Sequence, residues 1–224
     1  TSYEVSLFAE LGETASKAQV IEGEFTWSAG DKISVWTTSE NFQTLSLTEG
    51  ENTARAKFEG VLVGEGVRLA NYAIYPAGPH SISGDELKVY LPSSYDLTKN
   101  ISSVSMPMFA HLSEGTALFT QMGGLMSFTL TNVPAEATHI VLKALDKTIS
   151  GTFTTDVTIS IPILNATELS EANWIDLKIP AATSERNIKV IFPLPVGEYN
   201  GLRIEAHDDN NVVLSFAETS KTNT

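Results

Sequence analysis

Apolar side chains recur at every second position along much of this chain, and that period of two fixes the kind of structure it can form. Val5, Leu7, Ala9 and Leu11 share one phase at the start. Leu87, Val89 and Leu91 do so ahead of Pro92, and Ile188, Val190, Phe192 and Leu194 do so later. Successive side chains of a strand point to opposite faces, so each run buries one face of a β-strand. Further strands are expected at 54–62, 68–75, 118–130, 138–144, 152–163 and 174–179, with Gly, Pro, Asn or Asp in nearly every gap. The clearest hairpin is GLRIEAHDDNNVVLSFAE. Leu202, Ile204 and Ala206 lead into Asp208-Asp209-Asn210-Asn211, and Val212, Leu214 and Phe216 lead out. Asp and Asn tolerate positive φ and bond their own backbone, as a tight reversal requires. The segment NATELSEAN, with Asn165 as a cap and Glu168 three residues on, predicts either one short helix or a polar loop. Many short antiparallel strands with almost no helix predict an all-β protein of the sandwich kind.

The stretch TWSAGDKISVW, residues 26–36, asks whether Asp31 is a working acid or a corner of the fold. Phe25 and Trp27 close one alternating run, and Ile33 with Val35 opens another. Lys32, Ser34 and Trp36 then face the opposite side. Gly30 permits φ > 0, and Asp31 can accept backbone N–H groups around the turn. A catalytic acid needs a second carboxylate, a histidine or a metal close by, and the neighbouring residues supply none. Trp27, Gly30 and Asp31 are therefore expected to form a structural turn.

Net charge excludes some partners. The chain of 224 residues carries −13, shared almost evenly between its halves. Nucleic-acid binding needs a local excess of Lys and Arg to displace counterions, and an acidic field repels anionic lipid. There is no cysteine, so no disulfide framework or thiolate metal site can form. No apolar run approaches the roughly 20 residues that a spanning helix requires, so no transmembrane segment is expected. The first residue is Thr1 rather than Met, which suggests that an upstream segment was removed.

His80, His111, His139 and His207 lack a paired ligand spacing, and HDDNN lacks the spaced acids and Gly of a calcium loop, so no metal or cofactor is expected. A glycosidase needs only two carboxylates across a cleft, but no spacing here points to such a pair. Met106-Pro107-Met108 reads as core filler near an interdomain joint, and Gly123-Gly124 as a bulge where a strand bends. The segment 111–117, HLSEGTA, is small and polar between two strand-rich halves and is the expected linker, dividing the chain into domains 1–113 and 114–224.

Six pieces stand in a telling order: TWSAGDKISVW, AKFEGVL (56–62), NYAIYPAG (71–78), LKVYLPSSY (87–95), MPMFAH (106–111) and ALFTQMGGLMSFTL (117–130). In this order the chain resembles, over most of its length, the fimbrillin-like (Mfa-like) family of Bacteroidales surface lipoproteins. The resemblance implies two tandem transthyretin-like β-sandwich domains, export and lipid anchoring through a cysteine since trimmed away, and a place at the cell surface or outer membrane. It implies a non-enzymatic pilus subunit, or a related surface protein, whose partners are other fimbrial subunits. In that family an N-terminal strand is removed by a protease, and an extended terminal strand of a neighbour fills the groove, which is β-augmentation in trans. Residues 3–11, YEVSLFAEL, match the removable strand, with Val5, Leu7, Ala9 and Leu11 as its inward side chains.

Two departures stand out. Relatives matured by arginine-directed cleavage carry an Arg after the first strand, yet the first Arg here is Arg55 and only Lys17 is basic in that interval. The chain also ends at SFAETSKTNT, where relatives continue into terminal strands, which implies a truncated second domain or an unfilled groove. A rival expectation is a surface adhesin or carbohydrate-binding module for host or bacterial ligands. It rests on Tyr72, Tyr75, Tyr90 and Tyr95, because aromatic platforms stack on sugars.

Overall fold

A computed structural model describes residues 1–12, 26–99, 104, 106–170, 172–219 and 222–223. Phe25 and Lys17 lie outside these. The described residues are all-β, with no helix; the described part of 165–173 holds no helical turn but a short strand that pairs with 147–148. The strands are β1 (Ser2–Leu11), β2 (Lys32–Thr37), β3 (Phe42–Glu49), β4 (Arg55–Val63), β5 (Leu69–Tyr75), β6 (Ser81–Ser83) and β7 (Glu86–Leu91). They continue with β8 (Ser94–Asp96), β9 (Met108–Ser113), β10 (Thr116–Gln121), β11 (Gly124–Val133), β12 (His139–Ala144), β13 (Lys147–Thr148) and β14 (Gly151–Asp156). The last are β15 (Thr167–Glu168), β16 (Trp174–Lys178), β17 (Arg186–Leu194), β18 (Glu198–Tyr199), β19 (Leu202–His207), β20 (Val213–Thr219) and β21 (Thr222–Asn223).

The chain forms two compact units, each built from separated segments. Unit 1 comprises Thr1–Tyr90, Pro107–Met122 and Phe153–Ile163; unit 2 comprises Leu91–Met106, Gly123–Thr152 and Leu164–Thr224. The expected division at 113/114 falls instead inside a hairpin. Residues 111–117 join β9 to β10 in register Ser113↔Thr116, around a two-residue turn with φ of 49° at Glu114 and 77° at Gly115. Positive φ at both central positions matches the twist of flanking strands, so a small polar stretch that resembles a linker is a tight turn. The chain passes from unit 2 to unit 1 between Met106 and Pro107, and both flanking methionines, Met106 and Met108, are buried.

In unit 1 the strand pairs close on themselves in the order β1-β10-β9-β5-β2-β3-β4. The expected sandwich is, in its hydrogen bonding, a seven-stranded barrel, closed between first and last neighbour where β1 meets β10. Its interior is filled by the predicted alternation: Leu7, Ala9, Ile33, Val35, Leu45, Phe58, Ala73, Ala117 and Phe119 pack in one cluster with Trp27. The outer faces of β2, β5 and β9 are covered as well, since Ser34, Ile74 and Phe109 are also buried. Ser34 Oγ accepts the Gly78 N–H at 3.2 Å, and the ring of His80 accepts the Tyr90 N–H at 3.2 Å, fastening the chain after β5 and the strand β7.

In unit 2 two sheets share one core. Ile140, Leu142, Ile175, Leu177, Leu202 and Ile204 come from the sheet β20-β19-β12-β16-β8. Val190, Phe192 and Leu194, with half-buried Met126 and Phe128, come from β11-β17. The expected strand 118–130 is broken: β10 ends in unit 1 and β11 begins in unit 2, so Gly123-Gly124 marks the passage and not a bulge. Gly123 is required there because an added Cβ would lie 1.9 Å from Met106 Cε and 2.8 Å from the Leu194 carbonyl oxygen. The expected strand 152–163 is shortened to β14, which joins β7 and β6 in a small sheet. The hairpin of β19 and β20 forms as expected, with Asp208 Oδ1 accepting the N–H groups of Asn210 and Val212. A register shift at Ala206/His207 turns its second strand, so that Phe216 faces outward at 59% exposure while Leu214 packs on the core.

Candidate functional site

The first strand is the piece that shuts the barrel. β1 runs antiparallel to β4 from Ser2↔Val63 to Glu10↔Arg55, and parallel to β10 from Phe8↔Thr116 to Leu11↔Phe119. Parallel pairing of strands more than a hundred residues apart requires a long crossover, and here the whole of β2 to β9 supplies it. Leu7 and Ala9 are 1% and 0% exposed, and half-buried Val5 and Leu11 pack against the same cluster. The four side chains expected to point inward do so. Phe8, Glu10 and Glu4 take the outer face, where Arg55 bonds Glu10 at 3.0 Å and lies 4.6 Å over the Phe8 ring.

The corner residues sit beside this strand's core contacts. Asp31 N–H donates to the Ser28 carbonyl at 3.0 Å, and Ser28 N–H returns a bond to Asp31 Oδ2 at 2.8 Å. Gly30 has φ of 84°, and open space surrounds its missing Cβ, so the demand for glycine is conformational rather than steric. Asp31 Oδ1 accepts the Tyr75 hydroxyl at 3.0 Å. Burial pushes this carboxyl above its ordinary range, and the Ser28 and Tyr75 bonds offset part of that. All its close partners are neutral donors, so Asp31 is a clamp between the corner and β5. Trp27 fills the barrel centre with edge-on contacts to Phe58, Tyr75 and Phe119, at centroid distances of 5.0, 5.3 and 5.5 Å. Such aromatic contacts contribute about 0.5–1.5 kcal/mol each beyond buried area.

The sequence reading missed a charged cluster on the outer face of β19 and β12. Glu205, 3% exposed, accepts from Arg203 Nε at 2.6 Å, His207 Nε2 at 2.7 Å and Lys143 Nζ at 2.8 Å. Arg203 also bonds Glu218 at 2.7 Å and stacks 3.7 Å over Phe216. Burial works to raise the Glu205 pKa, but the bonds from Lys143, His207 and Arg203 outweigh it and hold the carboxyl at about 2. The signal in sequence is Arg203-x-Glu205-x-His207, three ionisable groups on one face of one strand; Lys143 comes from a neighbour that only pairing reveals. A carboxylate held at so low a pKa has no proton to donate near neutrality, which suits it to fastening strands rather than to acid catalysis.

The other singled-out residues disperse. His139 Nδ1 lies 3.0 Å from both Asp176 oxygens, His80 is buried, and His111 is exposed. Among the described residues no group of three or more His, Cys, Asp or Glu is placed to hold a metal ion. Of the four tyrosines, Tyr75 packs on the barrel core and Tyr95 on the core of unit 2, so half of the expected platform is turned inward. No helix among the described residues is long and apolar enough to cross a membrane, which says nothing of strands.

No protein-family model and no curated protein matches the sequence. One similar solved structure is a leucine-rich repeat protein from Bacteroides thetaiotaomicron, at 12% identity and a TM-score of 0.22, with 99% of this chain and 24% of that chain covered. This chain thus spans about a quarter of that protein's length, and at that score the similarity carries no argument about fold or role.

Proposed function

We propose that this chain is a structural subunit of cell-surface fimbriae, or a related fimbrillin-like surface lipoprotein, that assembles with other subunits by β-strand complementation. In this reading the two units are elaborated members of the transthyretin-like sandwich class, and the protein works at the outer membrane without catalysis. One observation carries it: a single strand, β1, stands between β4 and β10 and closes the ring. Taking it away leaves a slot with an antiparallel wall, a parallel wall beside residues 8–11 and an apolar floor formed by Phe58, Phe119 and Trp27. A slot with both walls unpaired accepts an extended strand through main-chain bonds, while alternate side chains fill the floor. Asp31 and Glu205 are both committed to fastening, which accords with a structural part.

The test uses the whole chain with a specific protease site placed within 13–25, cut after folding so that β1 stays bound without a covalent link. A labelled peptide with the sequence of residues 1–12 is then added in excess. Incorporation of the label, with a melting temperature that climbs with peptide concentration, is the expected result. If no label enters at high excess, strand complementation at this slot is wrong.

A further inference from the structure

The two halves of β1 are held unequally. Residues 8–10 have strands on both sides, β4 and β10, Leu11 pairs with β10 and bonds Ala54 just before β4, and the Phe8 and Gly12 N–H groups donate to the Gly115 and Phe119 carbonyls at 3.1 and 2.9 Å. Residues 2–7 pair with β4 alone, because β10 begins only at Thr116, opposite Phe8; no strand among the described residues flanks their other edge. In an antiparallel ladder alternate amides face each way. Leu11 N–H points to β4, where it donates to the Ala54 carbonyl, so the amides of Glu4 and Ser6 point to the open side. Burial follows the same gradient. Tyr3 is 37% exposed and Val5 half-buried, while Leu7 and Ala9 are sealed. An open cavity of about 500 Å³ lies over the half-held stretch, lined by Glu4, Val5, Ser6, Glu59, Gly60 and Val61. The β3–β4 ladder has also ended by this point, its last pair being Ser46↔Glu59.

We infer that residues 2–7 of β1, with the facing stretch of β4, are the entry edge for a strand from another chain, and that exchange runs from there toward Leu11. This rests on the strand-complementation reading and gives it a direction. Local opening is drawn from the stretch with fewest buried contacts and most open backbone groups. When residues 2–7 lift from β4, the edge of β4 facing them is bared while residues 8–11 still hold the barrel closed. An incoming strand pairs with β4 there first and then displaces β1 one residue pair at a time. The partner that fits is an extended segment with an apolar residue at the Val5 position to dock first. Where Ser6 stands opposite Glu59, whose carboxylate already bonds Lys57 at 2.8 Å, it carries a polar or basic residue, since this chain is strongly acidic.

Two measurements decide it. In the intact chain, amide hydrogen exchange at Glu4 and Ser6 is expected to be at least tenfold faster than at Phe8 and Gly12; equal protection along β1 overturns the proposal. In the chain cut within 13–25, a peptide of residues 1–12 carrying Val5→Asp is expected to enter at least tenfold more slowly than the unaltered peptide. A peptide carrying Leu11→Asp is expected to enter at a similar rate and leave faster. If Leu11→Asp instead controls the rate of entry, the direction is wrong while strand complementation stands. If no peptide enters, strand complementation itself fails and the entry edge with it.

Discussion

Asp31 in the barrel unit and Glu205 in the two-sheet unit are both carboxylates drawn out of water, yet their surroundings pull them in opposite directions. Asp31 meets a backbone N–H and a tyrosine hydroxyl, and burial wins: its pKa is raised. Glu205 is sealed more completely but meets Lys143, Arg203 and His207, and its pKa falls to about 2. Depth of burial therefore does not set the sign of the shift; the charge of the donors does. The corner that holds the barrel is fastened by neutral donors, which do not themselves titrate in acid, while the carboxyl they hold takes up its proton early. The outer face of β19 and β12 is fastened by ions, and acid takes that fastening away.

The largest effect is expected at Glu205. Glu205→Gln removes the charge that Lys143 and Arg203 pair with and that His207 bonds, and breaking a buried ion pair from one side destabilises by about 3–5 kcal/mol. Lys143 and Arg203 keep some contact with water, at 38% and 26% side-chain exposure, so the lower end, about 3 kcal/mol at pH 7, is expected. A pKa depressed from 4.5 to about 2 gives a stabilisation of the same size by linkage. A depressed carboxylate pKa contributes stability that is whole above the unfolded value and is lost as pH falls through the folded one. The gap between wild type and variant in urea denaturation should therefore close between about pH 4.5 and about pH 2. A gap that stays constant through this window would show that packing rather than charge holds the site.

This contrast also separates what the sequence discloses from what it hides. Leu7 and Ala9, and the turn at Gly30 and Asp31, were legible because strand period and turn chemistry are local: each residue's face or φ follows from its near neighbours. The hairpin from Leu202 was legible for the same reason, except that a one-residue register shift turned Phe216 outward. Closure of the barrel was not legible. It depends on Phe8 meeting Thr116, a parallel pair joined by no turn and signalled by no spacing. The break at Gly123 was hidden because LFTQMGGLMSFTL keeps an apolar character throughout, and only a backbone passing within reach of Met106 and Leu194 makes the glycine necessary. Glu205 was hidden because a charged residue in a strand reads as solvated until its neighbours across the ladder are known.

A smaller effect, of opposite sign with pH, is expected at Asp31. Asp31→Asn keeps one acceptor oxygen but presents an amide N–H₂ to one of the two existing donors, so a single hydrogen bond is lost, about 1 kcal/mol. Because the wild-type pKa is raised by folding, the native state takes up a proton before the unfolded one. Its contribution is fully present below the unfolded value of 3.8 and is lost as pH rises through the folded value. On mild acidification the wild-type corner should gain on Asp31→Asn, while over the same descent wild-type loses its advantage over Glu205→Gln. If both gaps move in the same direction, the two carboxylates are not held differently and the contrast breaks.

The smallest effect sharpens the barrel side of the contrast. His80 is buried with its Nδ1 accepting the Tyr90 N–H at 3.2 Å and its Nε2 2.8 Å from the Pro76 carbonyl oxygen, which fixes the neutral tautomer with the proton on Nε2. Protonating Nδ1 would set two N–H groups against each other, and burial independently lowers the pKa below its usual 6.5, with the Pro76 bond opposing. A lowered histidine pKa means that stability is intact above the unfolded value and declines as pH falls from there through the folded value. Unit 1 is therefore expected to show a shallow loss of stability on descent from about pH 6.5, absent in His80→Gln. Nuclear magnetic resonance titration of the His80 ring should place its midpoint below the ordinary 6.5. A midpoint at or above 6.5 would mean that the bond from Tyr90 does not hold the ring neutral, and that the fastening of β7 to the barrel is less pH-sensitive than its geometry requires.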